Sequence, residues 1–325
     1  MIWPLSILMS SEAEGAGMHG GMHKGILKIA VYALIWYSSS VLAVVTSKQV
    51  LSLLPFPITL CLFQFQTAAA LLSVVSKYFF EAADDCSQDN ITASVTKRKI
   101  ALSYTFGFIL TNFAYQIVAP SFVESVKAAE PISSALLSFL MLGQINSCRT
   151  YATLVPVCLG VALACQGKHV FSLIGLIASL CANMCFSARS VYSRQFYALS
   201  HATPVSGLSL FCDISWMGLL ILYPLSFLFD WTSISTLIFN WKYSELQQMP
   251  LNILLNCLAY TTYNCMSFLI LAETNALSHS VLNALRRIST IGFTIFYFDV
   301  SVSLMNEIGV ICTVLGALLY AVSIA

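Results

Sequence analysis

Ten apolar runs, most of them long enough to cross a bilayer, are separated by short polar breaks along this chain. They lie near 26–46, 57–79, 100–118, 121–142, 150–166, 171–193, 205–229, 250–271, 275–298 and 304–325. A helix needs about 20 predominantly apolar residues to span the roughly 30 Å of hydrocarbon. Inside that hydrocarbon every backbone polar group must find its partner within the protein. Repeated runs of this length predict an all-α polytopic membrane protein with ten transmembrane helices. Composition agrees: 58% of residues are hydrophobic and 9% charged, against roughly 25% charged in a soluble domain.

With so few charges, their placement carries the information. Short loops and span ends on the N-terminal side hold Lys24, Lys28, Lys97, Arg98, Lys99, Arg149, Arg189 and Arg194, whereas the other side holds Lys48, Lys168 and Lys242. The excess predicts that both termini face the cytosol. It also puts the glycosylation sequon at Asn90 on the cytosolic side, where it stays unmodified. Residues 1–25 read as a tail ahead of an uncleaved signal anchor. No arginine precedes Arg98, which argues against a transit peptide. His19 and His23 belong to that tail, with a weak metal site as the alternative. The scattered cysteines, including Cys181 and Cys185 on one helix face, read as small packing residues. No metal, cofactor or nucleic-acid partner is expected.

The two halves of the chain resemble each other. Asn112…Ser125-Val126…Leu159-Gly160 is matched by Asn264…Ser280-Val281…Leu315-Gly316. Because an odd number of spans separates the copies, they insert with opposite orientation. This predicts two inverted five-helix repeats, 26–166 and 167–325, and a binding site near the membrane midplane between them.

Both copies carry cations in the same place. Arg286 and Arg287 lie in the middle of the ninth run, and Lys127 lies in the fourth. An arginine at the bilayer centre costs about 2.5–3.5 kcal/mol even on insertion scales, so such residues face a polar cavity. Glu124, Lys127 and Glu130 are three residues apart and form one charged stripe on an unbroken helix. A structural ion-pair cluster would explain that stripe. The reading adopted is a phosphate-binding cation with a glutamate tuning or gating it. Arginine forks grip phosphate oxygens bidentately and lysine supplies a point charge. Thr111, Asn112, Tyr263 and Asn264 on neighbouring runs are candidates to complete the cavity. Asp213 reads as a further buried acid that pairs with a cation or senses protons. No nucleophile–base pair accompanies these groups, so an enzyme is not expected.

Three stretches then carry a family resemblance. Ser121-Phe-Val-Glu-Ser-Val-Lys-Ala-Ala-Glu-Pro131, Cys181-Ala-Asn-Met-Cys-Phe-Ser-Ala-Arg-Ser-Val-Tyr-Ser-Arg194 and Leu277-Ser-His-Ser-Val-Leu-Asn-Ala-Leu-Arg-Arg-Ile288 are similar to hallmarks of the triose-phosphate/phosphate translocators. That family lies within the drug/metabolite transporter superfamily. The resemblance runs from about Ala33 to the C-terminus. It implies ten helices in two inverted halves, a lipid bilayer as partner, and strict exchange of a phosphorylated metabolite (triose phosphate, phosphoenolpyruvate or sugar phosphate) for inorganic phosphate.

It also implies roles. Lys127 matches the phosphate lysine, Arg287 the arginine of a Lys-Arg pair, and Arg286 stands where that lysine usually is. Tyr263 and Thr111 match substrate-contacting positions. Phe108 and Glu124 each stand where a histidine is customary, and Leu282 replaces a glycine before Asn283. Phe108, Asn112, Glu124, Glu130, Asn264 and Asn283 are therefore expected to support or gate a site formed by Thr111, Lys127, Tyr263, Arg286 and Arg287. A nucleotide-sugar/nucleoside monophosphate antiporter and a non-transporting scaffold are the rival readings. Golgi or other endomembranes and the plastid envelope are the expected locations.

Overall fold

In the computed structural model, the described residues are 19–79, 91–143, 145, 147–164, 172–200, 204–239, 248–274, 276–300 and 303–324. Among them the chain is all-helical, without a strand. In order the helices are α1 (His19–Leu53), α2 (Pro57–Phe79), α3 (Ile91–Ile117), α4 (Pro120–Lys127), α5 (Glu130–Leu142), α6 (Cys148–Ala152) and α7 (Leu154–Ala164). There follow α8 (Leu173–Ser200), α9 (Pro204–Phe229), α10 (Trp231–Phe239), α11 (Met249–Glu273), α12 (Ala276–Tyr297) and α13 (Leu304–Ile324). Six of these, α1, α2, α8, α9, α11 and α13, contain segments long and apolar enough to cross a membrane. α3 and α12 have the length but carry Lys97, Arg98 and Lys99, or Arg286 and Arg287.

Two predicted spans are not single helices. The fourth breaks between Lys127 and Glu130, and the fifth at Thr153. Each break lies just before a proline, Pro131 or Pro156. A proline has no N–H for the carbonyl four residues back, and its ring crowds that carbonyl. Around Ala128 and Ala129 the chain falls into tighter bonds, Ala129 N–H to Val126 O at 3.0 Å and Ile132 N–H to Ala129 O at 3.0 Å. The expected continuous stripe of Glu124, Lys127 and Glu130 is therefore interrupted. Glu130 opens a new helix with its own direction.

Other expectations also shift. α1 begins at His19, inside the stretch read as tail, and its regular hydrogen bonding extends the span outward. Lys97, Arg98 and Lys99 lie within α3 instead of a loop. Asp213 is not deeply buried: its side chain keeps 38% of its exposure and pairs with Lys97 Nζ at 2.7 Å. Lys97 stands near the start of α3, so the pair ties α3 to α9. Asn90, Lys168, Lys242 and the side chains of His19 and His23 lie outside the described residues.

The molecule is apolar outside, and its interior combines hydrophobic clusters with buried polar groups. Leu34, Leu220 and Phe296 keep 70%, 78% and 84% of their exposure, whereas Thr111, Asn112, Asn256 and Thr313 are buried. An apolar exterior of this kind suits lipid as the solvent. The buried amides are satisfied by each other: Gln64 Nε2 donates to Asn256 Oδ1 at 2.7 Å, and Asn256 Nδ2 to Ala43 O at 2.8 Å.

Helix partners follow a pattern. α1 packs along α11 and α3 along α8, while α2 packs on α9 and α7 on α13. α12 lies against α1 and α4, and α8 against α4 and α5. The α7–α13 contact is made backbone to backbone. A Cβ on Gly160 would run into Thr313, and one on Gly316 would meet Val157 N at 2.8 Å. Small residues let membrane helices approach this closely.

Candidate substrate cavity

A cavity of about 110 Å³ lies where α1, α2, α3, α4, α5, α8, α11 and α12 converge. Thr111, Lys127, Tyr263, Arg286 and Arg287 all line it, and so do Phe108, Asn112, Glu124, Glu130, Asn264 and Asn283. The fold thus brings these eleven positions, drawn from five helices, to one chamber.

One wall is ionic. Arg287 is 6% exposed and is clamped by two carboxylates. Its Nη1 donates to Glu124 Oε2 at 3.3 Å and its Nη2 to Glu130 Oε2 at 2.7 Å. The second contact comes from the helix that opens after the break, with Glu130 as its first residue. Glu124 also accepts from Tyr115 Oη at 2.5 Å and pairs with Lys127 Nζ at 3.7 Å. A carboxylate buried to 1% exposure is tolerated only with such partners.

Arg286 is held differently. Its Nη1 donates to Ser40 Oγ at 2.5 Å and its Nε to Asn283 Oδ1 at 3.2 Å. Its guanidinium also sits 5.6 Å over the Trp36 ring. Neutral oxygens and an aromatic face hold the fork in position without neutralising it.

The other wall is aromatic. Phe108 meets Tyr104 edge-on at 4.8 Å, Phe186 at 5.1 Å and Tyr260 at 4.9 Å. Lys127 Nζ lies 5.0 Å over Phe186, which connects the two walls. Thr111 Oγ1 donates to its own helix at Gly107 O, at 2.8 Å. Asn264 Oδ1 accepts from Tyr104 Oη at 2.8 Å, and Asn112 Nδ2 donates to Gln64 Oε1 at 3.3 Å. These two amides brace the wall through bonds already made.

The cavity also contains groups that sequence reasoning missed. Arg189 was assigned to a span end for orientation, yet it lines the chamber with its guanidinium 5.7 Å over Tyr104. Its Nε is buried without a hydrogen-bond partner among the described residues. Its spacing of three from Phe186, within the stretch 181–194, was the available signal. Tyr115, Trp36 and His279 were missed as well. His279 stacks on Trp36 at 5.3 Å. Aromatic residues in an apolar helix give no sequence cue that separates a cavity wall from a lipid face.

Comparison with known proteins is consistent along the chain. The family model described as "Triose-phosphate Transporter family" matches residues 27–321. Phosphoenolpyruvate/phosphate translocator 2, chloroplastic, of Arabidopsis thaliana is 27% identical over 319 residues, covering 97% of this chain and 82% of its own. The triose phosphate/phosphate translocator, non-green plastid, chloroplastic, of Brassica oleracea var. botrytis is 26% identical over 310 residues, covering 95% and 75%. Glucose-6-phosphate/phosphate translocator 2, chloroplastic, of Arabidopsis thaliana is 26% identical over 305 residues, covering 91% and 75%. A solved crystal structure superposes with a TM-score of 0.50 over 89% of this chain and 96% of that one, at 14% identity, a likeness of fold alone. With the family model matched over nearly its whole length, the chain belongs to the triose-phosphate transporter family.

Proposed function

We propose that the protein is an antiporter that exchanges a phosphorylated metabolite for inorganic phosphate by alternating access. The observation that carries this reading is the cavity lined by Lys127, Arg189, Arg286 and Arg287 in a protein of this family. Lys127, Arg286 and Arg287 take the phosphate oxygens, and Thr111 and Tyr263 add hydroxyl contacts. Phe108, Asn112, Glu124, Glu130, Asn264 and Asn283 shape or gate the chamber. The relatives' names, each a phosphate translocator, support the same exchange.

The moving parts are two inverted five-helix halves, 26–166 and 167–325, forming ten spans: α1, α2, α3, α4–α5 and α6–α7, then α8, α9, α11, α12 and α13. The packing supports this division. When each helix is equated with the one five spans later, α3–α8 exchanges with α11–α1, and α2–α9 and α7–α13 map onto themselves. The close approach of Gly160 to Thr313 likewise exchanges with that of Gly316 to Val157. Exchange is strict because an empty cavity encloses net positive charge at low dielectric, and a bound phosphate neutralises it before the gates close. The "chloroplastic" relatives support a plastid-envelope location, and the lysine and arginine distribution supports cytosolic termini. A fluorescent fusion imaged in the native cell checks the first, and the absence of a glycan on Asn90 the second.

Proteoliposomes loaded with phosphate test the exchange. Uptake of a labelled phosphate ester is expected to require internal phosphate, and Lys127→Ala is expected to abolish it in protein that still folds. Equal uptake by phosphate-free vesicles would sink the mechanism.

A further inference from the structure

The charge count in the cavity points to a selection rule. Among the described lining residues there are four basic side chains, Lys127, Arg189, Arg286 and Arg287, and two carboxylates, Glu124 and Glu130. Counted at formal charge, with histidine taken as neutral, two positive charges remain. Glu124 is the unusual member. It stands where the family resemblance expects a histidine, and it sits against the phosphate-holding groups, 3.7 Å from Lys127 Nζ and 3.3 Å from Arg287 Nη1. Tyr115 Oη, at 2.5 Å, orients its other interaction.

Resting on the exchange reading above but narrowing its substrates, we infer that Glu124 restricts this carrier to phosphate esters of uncharged organic groups and excludes phosphorylated carboxylic acids, in contrast to the relative named for phosphoenolpyruvate. A dianionic ester brings the cavity to neutrality. A phosphorylated carboxylic acid brings a third negative charge and leaves one in excess, wherever in the chamber its carboxylate lies. Arg189 does not rescue it, because its charge is already in the count. A neutral side chain at position 124 would leave three positive charges, which match the trianion instead. Like charges enclosed together cost several kcal/mol, so one extra charge is expected to cost tenfold or more in transport, at about 1.4 kcal/mol per tenfold. Phe108 acts in the same direction, since its ring offers no hydrogen bond to a carboxylate and is packed edge-on among Tyr104, Phe186 and Tyr260.

The test uses a matched pair, glycerol 3-phosphate and 3-phosphoglycerate, which differ by a hydroxymethyl group in place of a carboxylate. Each is offered to proteoliposomes of the full chain loaded with labelled phosphate, and its rate is normalised to phosphate/phosphate exchange. The unaltered protein is expected to prefer glycerol 3-phosphate by about tenfold or more. Glu124→Gln and Glu124→His are expected to narrow or reverse that ratio. Equal use of both compounds by the unaltered protein overturns the inference, even if neither variant folds. A preference unchanged in a folded variant also overturns it. Loss of phosphate/phosphate exchange in the unaltered protein overturns the exchange reading and this inference with it, whereas intact exchange without discrimination overturns this inference alone.

Discussion

The fourth and ninth predicted spans pack against each other and both line the cavity, yet they are built differently. The ninth, α12, is one continuous helix that carries adjacent arginines. The fourth is two helices joined at Ala128 and Ala129, with Lys127 ending one and Glu130 opening the other. An unbroken helix fixes the angle between neighbouring side chains, so Arg286 and Arg287 diverge. Arg287 turns to the fourth span and its two glutamates, and Arg286 turns to α1 and Ser40. A broken helix can aim its charges independently, which lets Glu124 and Glu130 approach one guanidinium from two sides. Similar sequence placement thus produces a rigid cationic element and an adjustable mixed-charge element.

The largest test of this contrast removes the clamped arginine. Arg287→Ala leaves Glu124 and Glu130 buried without their common partner, and breaking a buried pair from one side costs about 3–5 kcal/mol. Thermal unfolding in detergent is expected to show a clear loss of stability along with loss of transport. Unchanged melting would mean that the clamp is not what holds the two spans together. Tyr115→Phe comes next. It deletes one donor to the Glu124 carboxylate, and hydrogen bonds to charged groups contribute about 1.5–3 kcal/mol. The same melting assay reads it, with Tyr297→Phe, at the far end of α12, as a comparison.

Pro131→Ala asks whether the break itself matters. With an N–H restored for the Lys127 carbonyl, the fourth span can run continuously and carry Glu130 away from Arg287. Exchange is expected to fall about tenfold, equivalent to about 1.4 kcal/mol. Wild-type exchange would show that Glu130 does not need the break. Arg286→Lys is expected to have the smallest effect. The charge stays, and only the fork to Asn283 and Ser40 is lost, so a change of about threefold in exchange, under 1 kcal/mol, is the expected result. A total loss there would show that the fork geometry of Arg286, and not its charge alone, is needed to hold the phosphate.

Much of this was legible in the residues. The apolar runs marked the helices, because lipid leaves the backbone few alternatives. Lys127, Arg286 and Arg287 marked an anion chamber, because buried cations in lipid need a cavity. The weak repeat around Gly160 and Gly316 foreshadowed a close helix contact that the fold makes between α7 and α13. Other features were misread for identifiable reasons. Helical spacing put Glu124, Lys127 and Glu130 on one face of an unbroken helix; all three do line the cavity, but the weight of Pro131 was not applied to the turn that breaks the helix. Arg189 was counted by its distance from a loop, although α8 continues to Ser200 and encloses it. Asp213 looked buried from its apolar neighbours in sequence, while its face of α9 opens towards Lys97.

The sequence by itself determined the medium, the helical class, the family and the sign of the charge that the cavity must receive. The medium, the helical class and the sign of the charge follow from local composition and spacing, and the family from the motifs at 121–131, 181–194 and 277–288. Only the tertiary structure decided the pairing: Arg287 with two glutamates, Arg286 with Ser40 and Asn283, and Arg189 at Tyr104 with an unpartnered Nε. Pairing depends on where helices break and which faces meet, over separations as large as the 246 positions between Ser40 and Arg286. In a low-dielectric interior those pairings, more than the number of charges in the chain, set the net charge that a substrate encounters.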